Sequence, residues 1–249
     1  MVCVDLQLGD CLELMKKVAD KSIDMICCDL PFGTTANRWD TVIPFAPLWE
    51  QYARVIKDHG AIILFSQLPF GARLIESAPK SLPFRHEWIW EKTRATGFLN
   101  SHHAPLRAHE NILVFYKHQP TYNPQFGAGK PYKNSKVGIG TSNYHRTKDR
   151  KVISQSDGRR YPRDVIRIEN PNRNSFHPTQ KPTRLLNYLI KTYTNPRDVV
   201  LDNCMGSGST GVACVETDRD FIGMEMNQHY FDVAQRRIEK AQEENSHDA

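Results

Sequence analysis

Several features are missing from this 249-residue chain, and each absence excludes a class. No apolar run approaches the ~20 residues that a membrane-crossing helix needs. Met1-Val2-Cys3-Val4-Asp5 has neither the basic start nor the apolar core of a secretory leader. Together these lead to the expectation of a cytoplasmic protein. Six cysteines are present (Cys3, Cys11, Cys27, Cys28, Cys204, Cys214), and none stands in a Cys-x-x-Cys pair. They read as reduced, mostly buried thiols, with no disulfide frame and no metal site. Acids are scarce in one interval: between Lys130 and Arg163, ten Lys/Arg face only Asp149 and Asp157, a net of +8. With +5 overall, the rest of the chain carries −3. A basic segment on a mildly acidic body points to a polyanionic partner bound on one side, with a solvated basic loop as the alternative.

What is present reads as alternating strands and helices. Ile23-Asp24-Met25-Ile26-Cys27-Cys28 is apolar on both faces, as a buried parallel strand is. It stops at Asp29-Leu30-Pro31-Phe32, where an open α/β sheet places ligands. Pro31 stiffens the turn and pushes Leu30 towards extended geometry. One carboxylate, backbone carbonyls and one flat ring suit a planar molecule bearing an amino group. An ordinary strand-ending turn has the same composition.

Further strands are expected at 1–9, Ala61–Phe65, Phe84–Trp90, Asn111–Tyr116, Val199–Asp202 and Phe221–Met226. Helices are expected at Cys11–Val18, Leu48–Ile56 (ended by His59-Gly60), Phe70–Ser77, Thr183–Tyr193, after Gly211, and over Gln228–Gln242, with a frayed tail beyond. Phe84–Trp90 and Asn111–Tyr116 are expected to pair antiparallel at one sheet edge. Gly33 to Asp40 reads as a mobile loop over the site. From 118 to 174 periodicity is lost, and Tyr122, Phe126, Tyr132, Tyr144 and Tyr161 are scattered among Lys and Arg, a combination that suits phosphate neutralisation with base stacking.

The second informative stretch is Asp202-Asn203-Cys204-Met205-Gly206-Ser207-Gly208-Ser209-Thr210-Gly211. Gly206, Gly208 and Gly211 have the dinucleotide-fingerprint spacing, and Glu225 follows Gly206 by 19 residues. This points to a nucleoside-containing cofactor, with an incidental tight turn as the alternative. Val212 stands where a phosphate loop needs lysine, which disfavours ATP hydrolysis. Only 38 residues follow Gly211, so the N-terminal part must complete the sheet, and the Asp29 and Gly206 strands are expected side by side. A nicotinamide-dependent oxidoreductase and a catalytically silent DNA-binding module remain open on the residues alone.

These stretches, in this order, resemble the β-class DNA amino-methyltransferases that use S-adenosylmethionine. Asp29-Leu30-Pro31-Phe32 is similar to that family's Asp-Pro-Pro-Tyr/Phe motif, with Leu30 for the first proline. Asp202–Thr210 resembles its Asp-Pro-Phe-x-Gly-Ser-Gly-Thr, with Asn203 and Cys204 departing from it. His177–Pro182 resembles the segment before the cofactor loop, and Gly9-Asp10 an N-terminal cofactor contact. From the residues alone Asp10 is better read as a helix N-cap; the resemblance reverses that preference.

The resemblance implies a doubly wound, mostly parallel α/β sheet. It implies a catalytic half over 1–117, a target-recognition insertion over 118–174 and a cofactor-binding half over 175–249. It also implies methylation of adenine N6 in double-stranded DNA by base flipping, with cytosine N4 as the alternative; Asp at the motif's first position favours adenine. Asp29, Leu30, Pro31 and Phe32 would be catalytic. Asp10, Cys11, Asp202, Cys204, Gly206, Ser207, Gly208, Glu225 and Met226 would hold the cofactor, and Lys181 its carboxylate. The resemblance makes a homodimer an expectation and leaves a restriction endonuclease partner open. It fits a cytoplasmic enzyme of bacterial, phage or prophage type.

Overall fold

The computed structural model describes residues 2–34, 40–137, 151–170 and 180–247. The chain divides into two compact units, Met1–Asn123 with Asp164–Ala249, and Pro124–Arg163. The second unit is narrower than the interval 118–174.

The first unit is built on one eight-stranded sheet. Its strands are β1 (Val4–Leu8), β2 (Ile23–Cys28), β3 (Ile56–Ser66), β4 (Phe84–Thr96), β5 (Arg107–Phe115), β10 (Val165–Ile168), β11 (Val199–Asp202) and β12 (Asp220–Glu225). The order across the sheet is β1-β12-β11-β2-β3-β5-β4-β10. All pairings are parallel except those that β5 makes with β3 and β4. The helices are α1 (Cys11–Met15), α2 (Phe45–Val55), α3 (Phe70–Ser77), α4 (Thr183–Tyr193), α5 (Ser209–Glu216) and α6 (Gln228–His247).

Strand alternation divides the core into two layers. Met25, Cys27, Ala61, Ile63 and Val200 pack with α4, α5 and α6 through Leu185, Leu189, Ala213, Ala234 and Ile238. Ile26, Cys28, Ile62, Leu64 and Leu201 pack with α1, α2 and α3 through Leu14, Leu48, Tyr52 and Leu74. Each such aliphatic side chain taken out of water is worth about 1.5–3 kcal/mol. No helix among the described residues is long and apolar enough to cross a membrane.

Several boundaries differ from the sequence expectation. The first helix ends at Met15, three residues early. The second begins at Phe45, and β3 starts at Ile56, so His59-Gly60 lies inside a strand. Gly60 is needed there, since a Cβ would come within 2.7 Å of the Ile56 side chain and 2.9 Å of the Asp24 carbonyl. The β4–β5 pair does not form the sheet edge: β10, from the interval without periodicity, adds beyond β4. The last helix runs to His247, through the stretch expected to fray.

The second unit holds two small antiparallel pairs, β6 (Gly127–Ala128) with β9 (Arg159–Arg160), and β7 (Tyr132–Val137) with β8 (Lys151–Ser156). Tyr144, Arg146, Lys148, Arg150 and the stretch His177–Thr179 lie outside the described residues, as do residues 35–39 of the loop after Phe32.

Candidate active site

β2 and β11 are neighbours and parallel, in register at Met25–Val200 and Ile26–Leu201. From β11 the chain proceeds towards β12 on one side; from β2 it proceeds towards β3 on the other. This reversal opens a crevice beyond the carboxyl ends of the strands, the general ligand position of such sheets. The Asp29 and Gly206 turns both leave from it, so the expected side-by-side arrangement is present.

Four adjacent strands end in an acid along this rim. Asp10 follows β1, Glu225 ends β12, Asp202 ends β11 and Asp29 follows β2. With strands about 4.8 Å apart, the row covers about 14 Å.

Asp29 is held by charge. Its Oδ2 accepts from Lys181 Nζ at 2.7 Å. Lys181 also pairs with Glu110 Oε2 at 3.1 Å, and Lys92 Nζ donates to Glu110 Oε1 at 2.5 Å. Lys92, Glu110 and Lys181 are all buried. The result is an alternating row of two cations and two anions contributed by β4, β5, the entry to α4 and the β2 turn. Asp29 Oδ1 is also buried, yet has no hydrogen-bond partner among the described residues. Burial pushes the Asp29 carboxyl above its ordinary value, with Lys181 pulling it down and Glu110 adding to the rise. Burial also disfavours ionised Glu110, but Lys181 and Lys92 outweigh this and hold it low. Burial works against the Lys181 ammonium, and Asp29 and Glu110 outweigh that.

The rest of the described turn is held by packing and by hydrogen bonds to Asp40. Leu30 is buried, and the Phe32 ring packs on Phe70 with centroids 4.9 Å apart at 34°. Gly33 takes φ +69°, and Asp40 accepts from the N–H groups of Gly33 (2.8 Å) and Thr34 (2.9 Å).

The glycine turn is satisfied from within. Asp202 accepts from Cys204 N–H (3.0 Å) and from Thr210 Oγ1 (2.6 Å), and burial raises its carboxyl to about 6. Gly206 and Gly208 adopt φ +51° and +78°, where side chains are disfavoured. Glu225 accepts from Gly206 N–H (3.0 Å) and Asn227 N–H (2.8 Å), and burial raises it. Ser207 is buried, and its hydroxyl and carbonyl are contacted by Arg237. Met226 beyond it is exposed. Gly9 N–H donates to the Glu225 carbonyl at 2.9 Å, tying the first turn to the last strand.

Asp10 caps α1: its Oδ1 accepts from Leu12 N–H (2.9 Å) and Glu13 N–H (3.2 Å). The preference for a cap, set aside on the resemblance, is thus correct as local structure; Oδ2 takes no part in it. Cys11 lies against Cys204, and that contact together with burial pushes its thiol up. Lys181 does not stand free for a cofactor carboxylate, because its ammonium is engaged by Asp29 and Glu110.

Lys92 and Glu110 were missed in the sequence because neither belongs to a motif. Strand alternation held a signal: Trp88, Trp90 and Lys92 share one buried face of β4, as do Glu110, Ile112 and Val114 on β5.

The chemistry of the rim discriminates between cofactors. Asp10, Glu225 and Asp29 offer acceptors to a ligand, and Lys181 is neutralised. Such a row fits a ligand with an amine, a hydroxyl pair and positive charge. It does not fit the pyrophosphate of a nicotinamide dinucleotide.

Residues 23–236 match the sequence profile of the DNA methylase family. The chain is 26% identical over 242 residues to the Type II methyltransferase M.HpaI of Haemophilus parainfluenzae, covering 93% of this chain and 73% of that one. It is 26% identical over 250 residues to the DNA adenine methyltransferase YhdJ of Escherichia coli K12, covering 94% and 82%. Among solved structures, the M1.HpyAVI–SAM complex superposes with a TM-score of 0.65 at 22% identity, over 94% of this chain and 98% of that one. The cytosine-N4-specific PvuII DNA methyltransferase superposes at 0.66 and 16% identity, over 99% and 92%. These two likenesses concern the fold alone. The family profile spans both halves of the crevice, from the strand before Asp29 to the helix beyond Glu225, and the chain belongs to the DNA methylase family.

Proposed function

We propose that the protein transfers a methyl group from S-adenosylmethionine to the exocyclic N6 of an adenine flipped out of double-stranded DNA. One observation carries the reading: a buried carboxylate oxygen, Asp29 Oδ1, without a hydrogen-bond partner among the described residues, at the switch point of a methylase sheet. An unsatisfied buried acceptor costs about 1–3 kcal/mol, more for a charged one. A site that keeps such an atom is built for a donor that arrives with the substrate. An exocyclic amine is such a donor.

Held along the acid rim, S-adenosylmethionine would supply an electrophilic sulfonium methyl, with the thioether as leaving group. Asp10 Oδ2 would accept from the cofactor's adenine amine and Glu225 from its ribose hydroxyls, beside the backbone of Gly206–Gly208. Asp29 Oδ1 and the Leu30 carbonyl accept the two N–H bonds of the target amine. This draws the nitrogen lone pair out of conjugation and aims it across the crevice. Phe32, backed by Phe70, offers a stiff surface to the base. On taking the methyl the nitrogen must shed one proton, and Asp29 Oδ1 accepts it; burial has raised that carboxyl in the direction this requires. Lys181 holds Oδ2 and fixes which oxygen faces the amine. Much of the rate gain comes from orientation.

The unit Pro124–Arg163 is the proposed DNA-reading part. It exposes Phe126, Tyr132 and Tyr161, with Arg159 over the Phe126 ring (5.2 Å) and Arg160 over Tyr132 (5.0 Å). Cationic groups stacked on exposed rings suit phosphate and base contact.

The choice of adenine rests on Asp at the first motif position and on the relationship to YhdJ. The test is incubation with methyl-labelled cofactor and duplex DNA from an unmethylated host, followed by digestion to nucleosides. Label is expected in N6-methyladenine. Label in N4-methylcytosine overturns the choice of base, and no label overturns the activity.

A further inference from the structure

The β4–β5 hairpin rises from the same strand ends as Asp29. β5 runs antiparallel to β3 and β4 antiparallel to β5, so β4 points the same way as β2. By register, Cys28 is level with Leu64 and Leu113, which puts Asp29 level with Ile112. Five further strand residues at about 3.3 Å each carry Arg107 about 17 Å beyond that level. The neck of the hairpin is fixed to the site, because Lys92 on β4 and Glu110 on β5 form the ion pair that Lys181 extends to Asp29.

Past that neck the character changes abruptly. Every residue from Thr93 to His109 is exposed. The tip turns at Gly97 (φ +89°) into a short 3-10 turn, Phe98–Asn100. It presents Phe98 at 78% exposure and Leu99 at 96%, with Leu106 also exposed. No acid occurs between Lys92 and Glu110, while Arg94, His102, His103, Arg107 and His109 do. Arg107 is braced by Gln67 Oε1 at 2.9 Å, and the Arg94 N–H by Asn170 Oδ1 at 2.9 Å. An apolar tip on an acid-free, braced stalk faces a polyanion better than water or a second acidic body. Apolar wedges of Phe and Leu are a known means of parting stacked base steps.

We propose that Phe98 and Leu99 enter the duplex beside the target base and occupy the stack it leaves, holding the base in the Asp29 pocket. This rests on the reading of the protein as a base-flipping methylase, and the experiment separates the two. Leu99→p-benzoylphenylalanine in the full chain, irradiated with plasmid duplex, is expected to crosslink to DNA. This holds whether or not methyl transfer occurs, so failure of wild-type transfer sinks only the earlier reading. Crosslinking to a second copy of the chain, with Phe98→Ala/Leu99→Ala sedimenting as a smaller species than wild type, overturns the wedge.

With the methylated sequence mapped, the Phe98→Ala/Leu99→Ala protein is expected to lose about tenfold in kcat/KM on the matched duplex, the scale of one stacking contact. On a duplex with an abasic position opposite the target, where extrusion is easier, it is expected to come back near wild type. An equal loss on both duplexes, or none on either, overturns the proposal. Both side chains are exposed, so an unchanged unfolding midpoint is expected.

Discussion

The turns that leave β11 and β2 lie side by side and are held in opposite ways. The glycine turn is closed by its own neighbourhood: Thr210 and the Cys204 N–H satisfy Asp202, and the Gly206 and Asn227 N–H groups satisfy Glu225. The Asp29 turn draws on Lys181, 152 positions away, and through it on Glu110 and Lys92, and one of its oxygens has no hydrogen-bond partner among the described residues. A surface already satisfied receives a small cofactor without rearranging. A surface that is half satisfied is, on the proposed function, completed by the reacting amine. Buried ion pairs are weak sources of stability. A row of four is better understood as a means of keeping one carboxylate charged and aimed.

Removing the aimed carboxylate breaks the comparison most directly. Asp29→Ala is expected to lower kcat at least about 100-fold, the scale of a lost proton acceptor. Cofactor affinity by calorimetry is expected to stay near wild type, since the donor side is held independently. A parallel loss of cofactor binding would mean that the two turns are one unit.

Lys181→Met comes next. It leaves the buried Glu110 with Lys92 as its remaining cation and takes from the half-buried Asp29 the cation that holds it. Breaking a buried pair costs about 3–5 kcal/mol, readable as a lower urea midpoint. The pH profile carries the sharper sign. With Asp29 as the proposed proton acceptor its ionised form is the active one, and activity is expected to fall as pH drops through its pKa. Lys181 pulls that pKa down, so its loss raises it. The acid limb of kcat is therefore expected at higher pH than in wild type, and an unmoved limb would detach Lys181 from Asp29 in function.

The same contrast explains what the sequence disclosed. The glycine turn was legible because its parts lie within a few residues of one another: Gly206 and Gly208 need left-handed backbone, and Asp202, Thr210 and Glu225 follow at fixed spacing. The placement of β2 beside β11 followed from the shortage of chain after Gly211. Asp29 was legible from the abrupt end of an apolar strand at Pro31. Lys92 and Glu110 were not, because two buried charges on separate strands have no local signature, and their partner Lys181 reads equally well as a cofactor contact. β10 was hidden for a related reason: four residues, Val165–Ile168, in a polar basic stretch find their strand geometry only by adding to β4. Helix α6 outran the expected Gln242 because the polar residues of its last turns are tolerated at a helix end in water, which amphipathic counting does not register.

The smallest expected effect sharpens the donor side. Glu225→Gln keeps shape and volume but turns one acceptor oxygen into an N–H₂ group. Glu225 faces two backbone donors, Gly206 N–H and Asn227 N–H, so either orientation of the amide leaves one of them against another donor. That mismatch costs about 1–3 kcal/mol. Part of it is expected in the unfolding midpoint and part as weaker cofactor binding, about tenfold by titration. At saturating cofactor, kcat is expected to stay near wild type, because the amine, Asp29 Oδ1 and Phe32 are untouched. Asp29→Ala and Glu225→Gln should therefore fall on opposite axes, one on kcat and one on cofactor affinity. If Glu225→Gln instead lowered kcat at saturation, the carboxylate at the end of β12 would be positioning the reacting groups, and the division between a self-contained donor turn and a substrate-completed acceptor turn would not hold.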